Sequence, residues 1–180
     1  MEGKMKEKDV EKEVVAMGKL KKEKIEVSIN PKKYLLDYAK SELKKLEDTS
    51  TEGFSDEDRK LFDLAKENLK SNIKEYEIAK LEGFIVPLKY GDLQTIKNGV
   101  LEALKTAKEF NWDDDIRMRG MIREEHTLTV YLVLRKKEDI TKRYYDSLEE
   151  IAKETESTID ELYTMYLENF VLTDEERKNL

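Results

Sequence analysis

The reactive side chains of this protein are few in kind and poorly grouped. His126 is the single histidine and cysteine is absent. A thiolate nucleophile, a disulfide and a zinc site built on Cys or paired His therefore have no donors. Glu124 and Glu125 adjoin His126, but sequence neighbours point in different directions on a helix or strand, so the trio reads as surface. Asp113-Asp114-Asp115 offers the carboxylate oxygens that Ca2+ or Mg2+ prefer, yet lacks the spaced ligands and glycine of an EF-hand loop. A helix start with carboxylates at its positive end accounts for it more simply. Neither a Gly-rich phosphate loop nor a nucleophile elbow occurs. With 41 acidic residues, carboxylate pairs are too numerous for any one to stand out. The expectation is a protein without catalysis, cofactor or metal.

Spacing says more in Ser147–Leu180. Three hydroxyl residues are each followed three positions on by a glutamate: Ser147 with Glu150, Thr158 with Glu161, Thr173 with Glu176. This predicts three helix starts, the hydroxyl accepting from an N3 amide while the carboxylate favours the positive helix end. The middle helix carries Ile159, Leu162, Tyr163, Tyr166 and Phe170 on one stripe, at offsets 0, 3, 4, 7 and 11. Met165 and Leu167 stand outside that stripe. The helix thus holds more apolar surface than one face buries, and Tyr and Phe anchor protein contacts well. Those five stripe residues are the expected partner-binding surface; the competing reading makes them ordinary core.

Residues 147–166 also resemble a bacterial-type helix-turn-helix, with Ala152 where two helices touch and Ile151 and Leu162 as packing positions. Glu156 stands where that family has a turn glycine. The recognition helix offers Asp160, Glu161 and Glu168, with no Lys or Arg from Ile159 to Val171. Base edges and phosphates need donors, so a protein partner is expected and nucleic acid is not. A nucleic-acid-associated regulator using Lys19–Lys24, Arg117, Arg119 and Arg123 is the alternative.

Composition and periodicity set the scaffold that carries these residues. Hydrophobic residues make up 38% and charged residues 42%, against usual shares of roughly 45–50% and about 25%. With only 7 Gly and 2 Pro, the chain predicts a mainly α fold of amphipathic helices with a small β element. From Glu138 to Leu180 there are 13 acidic and 5 basic side chains, so the net charge of -7 belongs to the C-terminal helices. The charged N-terminus and the lack of any apolar run near 18 residues predict neither a signal peptide nor a membrane span, hence a cytoplasmic protein.

In order, residues 1–24 read as a charged arm in which Val10, Val14 and Met17 make a thin helical stripe, followed by one mainly helical domain over 25–180. Ile25–Ile29 alternates as a strand. Asn30-Pro31 opens a helix to about Glu47 carrying Tyr34 or Leu35, Tyr38, Leu43 and Leu46. Ser55 caps a second helix through Phe62, Leu69, Ile73, Tyr76 and Leu81 that stops at Gly83. A second strand falls near 84–88, ending at or edged by Pro87. Gly91-Asp92 caps a helix with Leu93, Ile96, Val100, Leu104, Ala107 and Phe110 on one face, interrupted by Gly99. Trp112–Lys137 supports two readings: a β-hairpin over 116–134, from its β-forming TLTVYLVL run, or a long helix begun by Asp113-Asp114-Asp115.

Three pieces of 84–180 resemble the tail assembly chaperones of long-tailed phages and proviruses. These are Phe84–Gly91 leading into an Asp-capped helix, Arg135–Asp139 ahead of Tyr144-Tyr145, and the segment SLEEIAKETESTIDELYTMYLEN from Ser147. The resemblance implies a small helical cytoplasmic protein of viral assembly. It also implies no catalysis and no cofactor, self-association, and binding to a long coiled-coil tape-measure client. The leading expectation is a non-enzymatic assembly or adaptor protein of this kind.

Overall fold

A computed structural model describes residues 22–110 and 112–178. All but the last three residues of the expected N-terminal arm lie outside the described residues. The elements are β1 (Ile25–Ile29), α1 (Lys33–Glu47), α2 (Asp56–Glu77), β2 (Leu81–Ile85), α3 (Tyr90–Glu109), α4 (Asp114–Val133), β3 (Leu134–Lys136), α5 (Leu148–Ile151), α6 (Glu156–Phe170) and α7 (Asp174–Arg177). The fold is mainly α with a small three-stranded sheet of order β1-β2-β3. The described chain comprises two compact units: residues 28–81, and the flanking residues up to Val27 and from Glu82 onward.

The 28–81 unit is a pair of helices with little core. Asn30 does not cap α1 directly. Its side chain accepts from Lys32 N at 2.8 Å and donates to Tyr76 O at 2.8 Å, and the helix begins after a turn through Pro31 and Lys32. Tyr34 and Tyr38 are exposed, whereas Leu35, Leu36, Ala39, Leu43 and Leu46 turn inward. Leu35, Leu43 and Leu46 are thus inward as expected, and Ala39 takes the buried place expected for Tyr38. Ser55 caps α2 with a reciprocal Asp58 bond, and Phe62 meets Phe54 edge to face at 5.6 Å. Only the thin row Phe62, Lys66, Leu69, Ile73 and Tyr76 is even half-buried on α2.

The helix α2 stops at Glu77, six residues before Gly83, because Leu81–Ile85 is taken by β2 with Leu81, Gly83 and Ile85 all buried. The second strand therefore lies at 81–85 and not 84–88, and ends ahead of Pro87, which has no amide to give the ladder. Gly83 is no helix stop. It pairs with Lys136 in the antiparallel β2/β3 register, and a Cβ on it would meet Arg135 O at 2.5 Å.

In the larger unit, α4 is the hub and packs against α3, α5 and α6. Trp112–Lys137 forms no β-hairpin over 116–134. Asp113 accepts from Ile116 N at 2.8 Å and opens α4, Asp114 pairs with Arg117, and β3 begins only at Leu134. The β-forming run is helical because its surroundings bury it on nearly every side: Leu128, Thr129, Val130, Leu132 and Val133 are all inside. A helix apolar nearly all round is a core helix, and its run of β-branched and aromatic residues looks like a strand. Gly99 marks where α3 crosses α4, since a Cβ there would stand well inside contact with Leu128 Cδ1. Ile96, Leu128 and Leu132 form the core between these helices. In α3, Asp92 serves as the third helical residue and accepts from Lys89 N at 2.9 Å, so the cap position is Lys89.

At the C-terminus, Ser147 and Thr173 cap α5 and α7 as their spacing predicts, accepting from Glu150 N and Glu176 N. The cap of α6 is Thr155 and not Thr158, which is itself buried three residues into the helix. No helix among the described residues is long and apolar enough to cross a membrane.

Candidate functional site

The five stripe residues of α6 divide between core and surface. Leu162 is fully buried, and Ile159 and Tyr166 nearly so. Tyr163 and Phe170 stay half-buried, with Phe170 stacked on Tyr166 at 5.9 Å. Ile159 faces a small polar cavity of about 150 Å³ beside Arg123, His126 and Asp160. Tyr163 and Tyr166 instead open onto an apolar groove of about 440 Å³.

Three helices build that groove. From α3 come Leu93, Ile96, Lys97, Val100 and Leu101, spaced so that one face of two turns is presented. Thr129 and Glu125 of α4 contribute to the lining, and α6 closes the other side with Tyr163, Tyr166 and Leu167, extended by Val171. Ile96, Thr129 and Tyr166 are buried, whereas Leu93 and Leu101 are 54% and 46% exposed at the rim. The lining is thus mostly apolar, with one cation, Lys97, one anion, Glu125, and the buried Thr129.

Two polar contacts hold α6 against α4 beside the groove. The Tyr163 hydroxyl donates to Glu125 Oε1 at 3.2 Å, and its ring stacks on His126 at 3.8 Å. Burial, reinforced by the Glu125 charge, pushes the Tyr163 phenol up to about 12. One turn earlier on α6, Asp160 Oδ1 lies 2.7 Å from His126 Nδ1. Burial also raises the Tyr166 phenol, opposed by a backbone hydrogen bond with Leu88. Both tyrosines present neutral, partly apolar surface at neutral pH.

Of the five predicted stripe residues only Tyr163 and Tyr166 line the groove; Leu93, Ile96 and Val100 are expected only as one face of a helix, and Lys97, Leu101, Glu125, Thr129 and Val171 are not expected at a site. The signal for Leu101 is its position next to Val100, which widens the α3 stripe beyond one buried row. Leu167, surplus to the α6 stripe, is in the groove; Met165 is not among its lining residues.

The helix-turn-helix likeness reaches the turn and little further. Four residues make up α5, and Ala152 is exposed rather than wedged between helices. Ile151 and Leu162 are both fully buried, as packing positions should be. Glu161 and Glu168 are exposed on α6, and Asp160, also exposed, meets His126 of α4.

Arg135 and Arg143 form a second feature. They are bridged across a tight turn, with the Arg143 guanidinium over the Tyr131 ring at 4.6 Å. Burial and the neighbouring Arg143 charge lower the Arg135 guanidinium. Asp139 organises that turn, its carboxylate accepting from Thr141 Oγ1 and N, which holds it below the usual carboxylate range.

Comparison with protein families, curated proteins and solved structures gave no match to this chain.

Proposed function

We propose that the chain is a non-enzymatic assembly or adaptor protein of the cytoplasm whose groove takes the apolar face of a helix from a client protein. The groove carries this reading. It is open, apolar and walled by two helices, the arrangement that accepts an amphipathic helix through residues spaced i, i+3/i+4 and i+7. The client's flanks follow from charge: the region from Glu138 onward holds 13 acidic against 5 basic side chains, and Glu168, which follows the lining residue Leu167 on α6, is exposed. A helix with Lys or Arg beside its apolar face is the complement. The most specific form of the reading is the tail assembly chaperone that residues 84–180 resemble. Its client would be a long coiled-coil tape-measure-like protein, and self-association would multiply the contacts.

Two synthetic helices with the same leucine stripe, one flanked by lysines and one by glutamates, provide the test by fluorescence anisotropy against the full chain. The lysine-flanked helix is expected to bind about tenfold tighter, a difference of ~1.4 kcal/mol, and its advantage should shrink with salt. Leu101→Glu and Leu167→Glu should abolish binding of both while helicity is retained. Binding indifferent to those two substitutions would refute the groove as the site.

A further inference from the structure

We propose that the hairpin of α1 and α2 carries a face on which a second copy of this chain packs, related by a two-fold axis running along the hairpin. The two helices bury little between themselves: α2 has no buried residue and α1 only Ala39. The unit they form, residues 28–81, is in the size range where one core rarely suffices and association supplies the rest. The apolar side chains that could complete it are on the outside. Tyr34 and Tyr38 of α1 are 64% and 57% exposed, and Leu61 and Leu64 of α2 are 66% and 53% exposed.

At 3.6 residues per turn these side chains fall on one flank of each helix. On α2 that flank continues through Asn68 and Asn72, and on α1 through Ser41 to Lys45, all exposed. The other flank is charged throughout: Asp63, Glu67, Lys70 and Lys74 on α2, and Lys33, Asp37, Lys40 and Lys44 on α1. Lys40 pairs at 2.8 Å with Glu77, one turn beyond Lys74. The charged flanks therefore share one face of the hairpin, and the flanks bearing the tyrosines and leucines share the other.

That second face complements itself, which singles out a second copy as its occupant. Asn30 donates to Tyr76 O and Lys32 pairs with Glu75, so the start of α1 lies beside the end of α2. Tyr34 and Tyr38 are thus level with Asn72 and Asn68, and Lys45 is level with Leu61. A two-fold axis along the hairpin lays α1 antiparallel on the second copy's α2 at these same levels. Each tyrosine ring then meets a smaller amide, and Ser41 leaves room for Leu64. The Lys45 stem covers Leu61 while its ammonium, held on its own helix by Glu42, faces the second copy's Glu57. An axis across the hairpin would instead set Glu57 against the second copy's Glu75. The area is sufficient as well. A face roughly 30 Å long and about 20 Å across two helices hides about 600 Å² per copy. The total of about 1,200 Å² reaches the lower end for a stable interface.

Sedimentation equilibrium of the full chain at micromolar concentration should give twice the 21.2 kDa chain mass. Leu61→Glu and, separately, Tyr38→Glu should return it to monomer with helicity unchanged, since both sites are exposed. Lys45→Glu should weaken the dimer severalfold, and Lys45→Glu/Glu57→Lys should regain it. Because the chain has no cysteine, a mixture of Tyr38→Cys chains and Asn68→Cys chains reports which helices meet. Mild oxidation should form the mixed disulfide in preference to either like pair, as read by mass spectrometry. A monomer at every concentration, a dimer indifferent to both glutamates, or disulfides between like chains alone would overturn the proposal. This face shares no residue with the groove, so a monomer in solution would leave the client groove standing.

Discussion

Two glycines inside helices that pack on one another predict stability changes of opposite sign. Gly120 lies within α4, and a Cβ added there meets nothing within 4 Å. Gly120→Ala should stabilise by about 1 kcal/mol, the usual difference in helix propensity. Gly99 lies within α3, and alanine there brings the same gain. Its Cβ would collide with Leu128 Cδ1 and sit 3.4 Å from Glu124 Oε1. Leu128 is 5% exposed and held between Ile96 and Leu132, so its methyl has nowhere to retreat. Overpacking of this kind costs about 1–3 kcal/mol. Gly99→Ala should therefore be neutral or up to about 2 kcal/mol less stable, and should fall below Gly120→Ala by roughly 1–3 kcal/mol. Denaturant unfolding followed by the sole tryptophan, Trp112, reads the unit that contains both sites. In a Leu128→Ala background, itself about 2–5 kcal/mol destabilised, the sign at Gly99 should reverse, because the added methyl enters vacated space. Equal stabilisation by both alanines would refute the close α3–α4 crossing, and with it the wall spacing on which the groove depends.

Three further outcomes are expected. Asp113→Ala should lose about 0.5–2 kcal/mol by removing the acceptor for Ile116 N; an unchanged unfolding midpoint would mean that α4 does not start there. Thr155→Ala should cost about 1 kcal/mol and Thr155→Ser much less, since Thr155 Oγ1 meets both Thr158 N and Thr158 Oγ1; helicity by circular dichroism on urea titration checks the difference. Tyr163 ionises at about 12 in the fold against an ordinary 10.0. The unfolded chain therefore releases that proton first, and stability present below pH 10 should fall as pH rises from about 10 to 12. Tyr163→Phe should flatten that fall, and an unchanged alkaline unfolding profile would remove burial as the cause.

The fold class is legible in the sequence because amphipathic periods of 3.6 residues survive in α2, α3 and α6, whose solvated faces are densely charged. The Ser55, Ser147 and Thr173 caps are legible for a local reason: the bonds they make are within four residues. Where long-range packing decides, the pattern misleads. Leu81 and Gly83 look like the end of a helix because nothing nearby in sequence reveals the Arg135 carbonyl against which Gly83 lies. The TLTVYLVL run looks like a strand because burial on all sides erases the helical period. Thr158 looks like a cap because its spacing to Glu161 is correct, yet Thr155 offers the same hydroxyl one turn earlier and Thr158 is needed inside. For the site, α6 is visible and α3 is not: a groove is a relation between two helices, and only one of them carries surplus apolar residues conspicuous enough to notice.

The energetics of the groove bear on who can occupy it. Its floor, Ile96, Thr129 and Tyr166, is already buried by the helices themselves, so an occupant gains little there. The gain lies at the rim, where Leu93 and Leu101 are about half exposed. A fully buried Leu, Val or Met side chain is worth about 1.5–3 kcal/mol, so covering the two rim leucines yields about 1.5–3 kcal/mol together. Three apolar side chains brought by an occupant add about 4.5–9 kcal/mol by the same measure. That sum is comparable to the ~4–15 kcal/mol lost when two free molecules associate. A single short helix arriving from solution should therefore bind weakly. A client gains affinity only by adding contacts beyond the groove or by offering its stripe repeatedly to several copies of the protein, where linkage raises the effective concentration. These magnitudes favour a long, repetitive helix over a single short one as the groove's occupant.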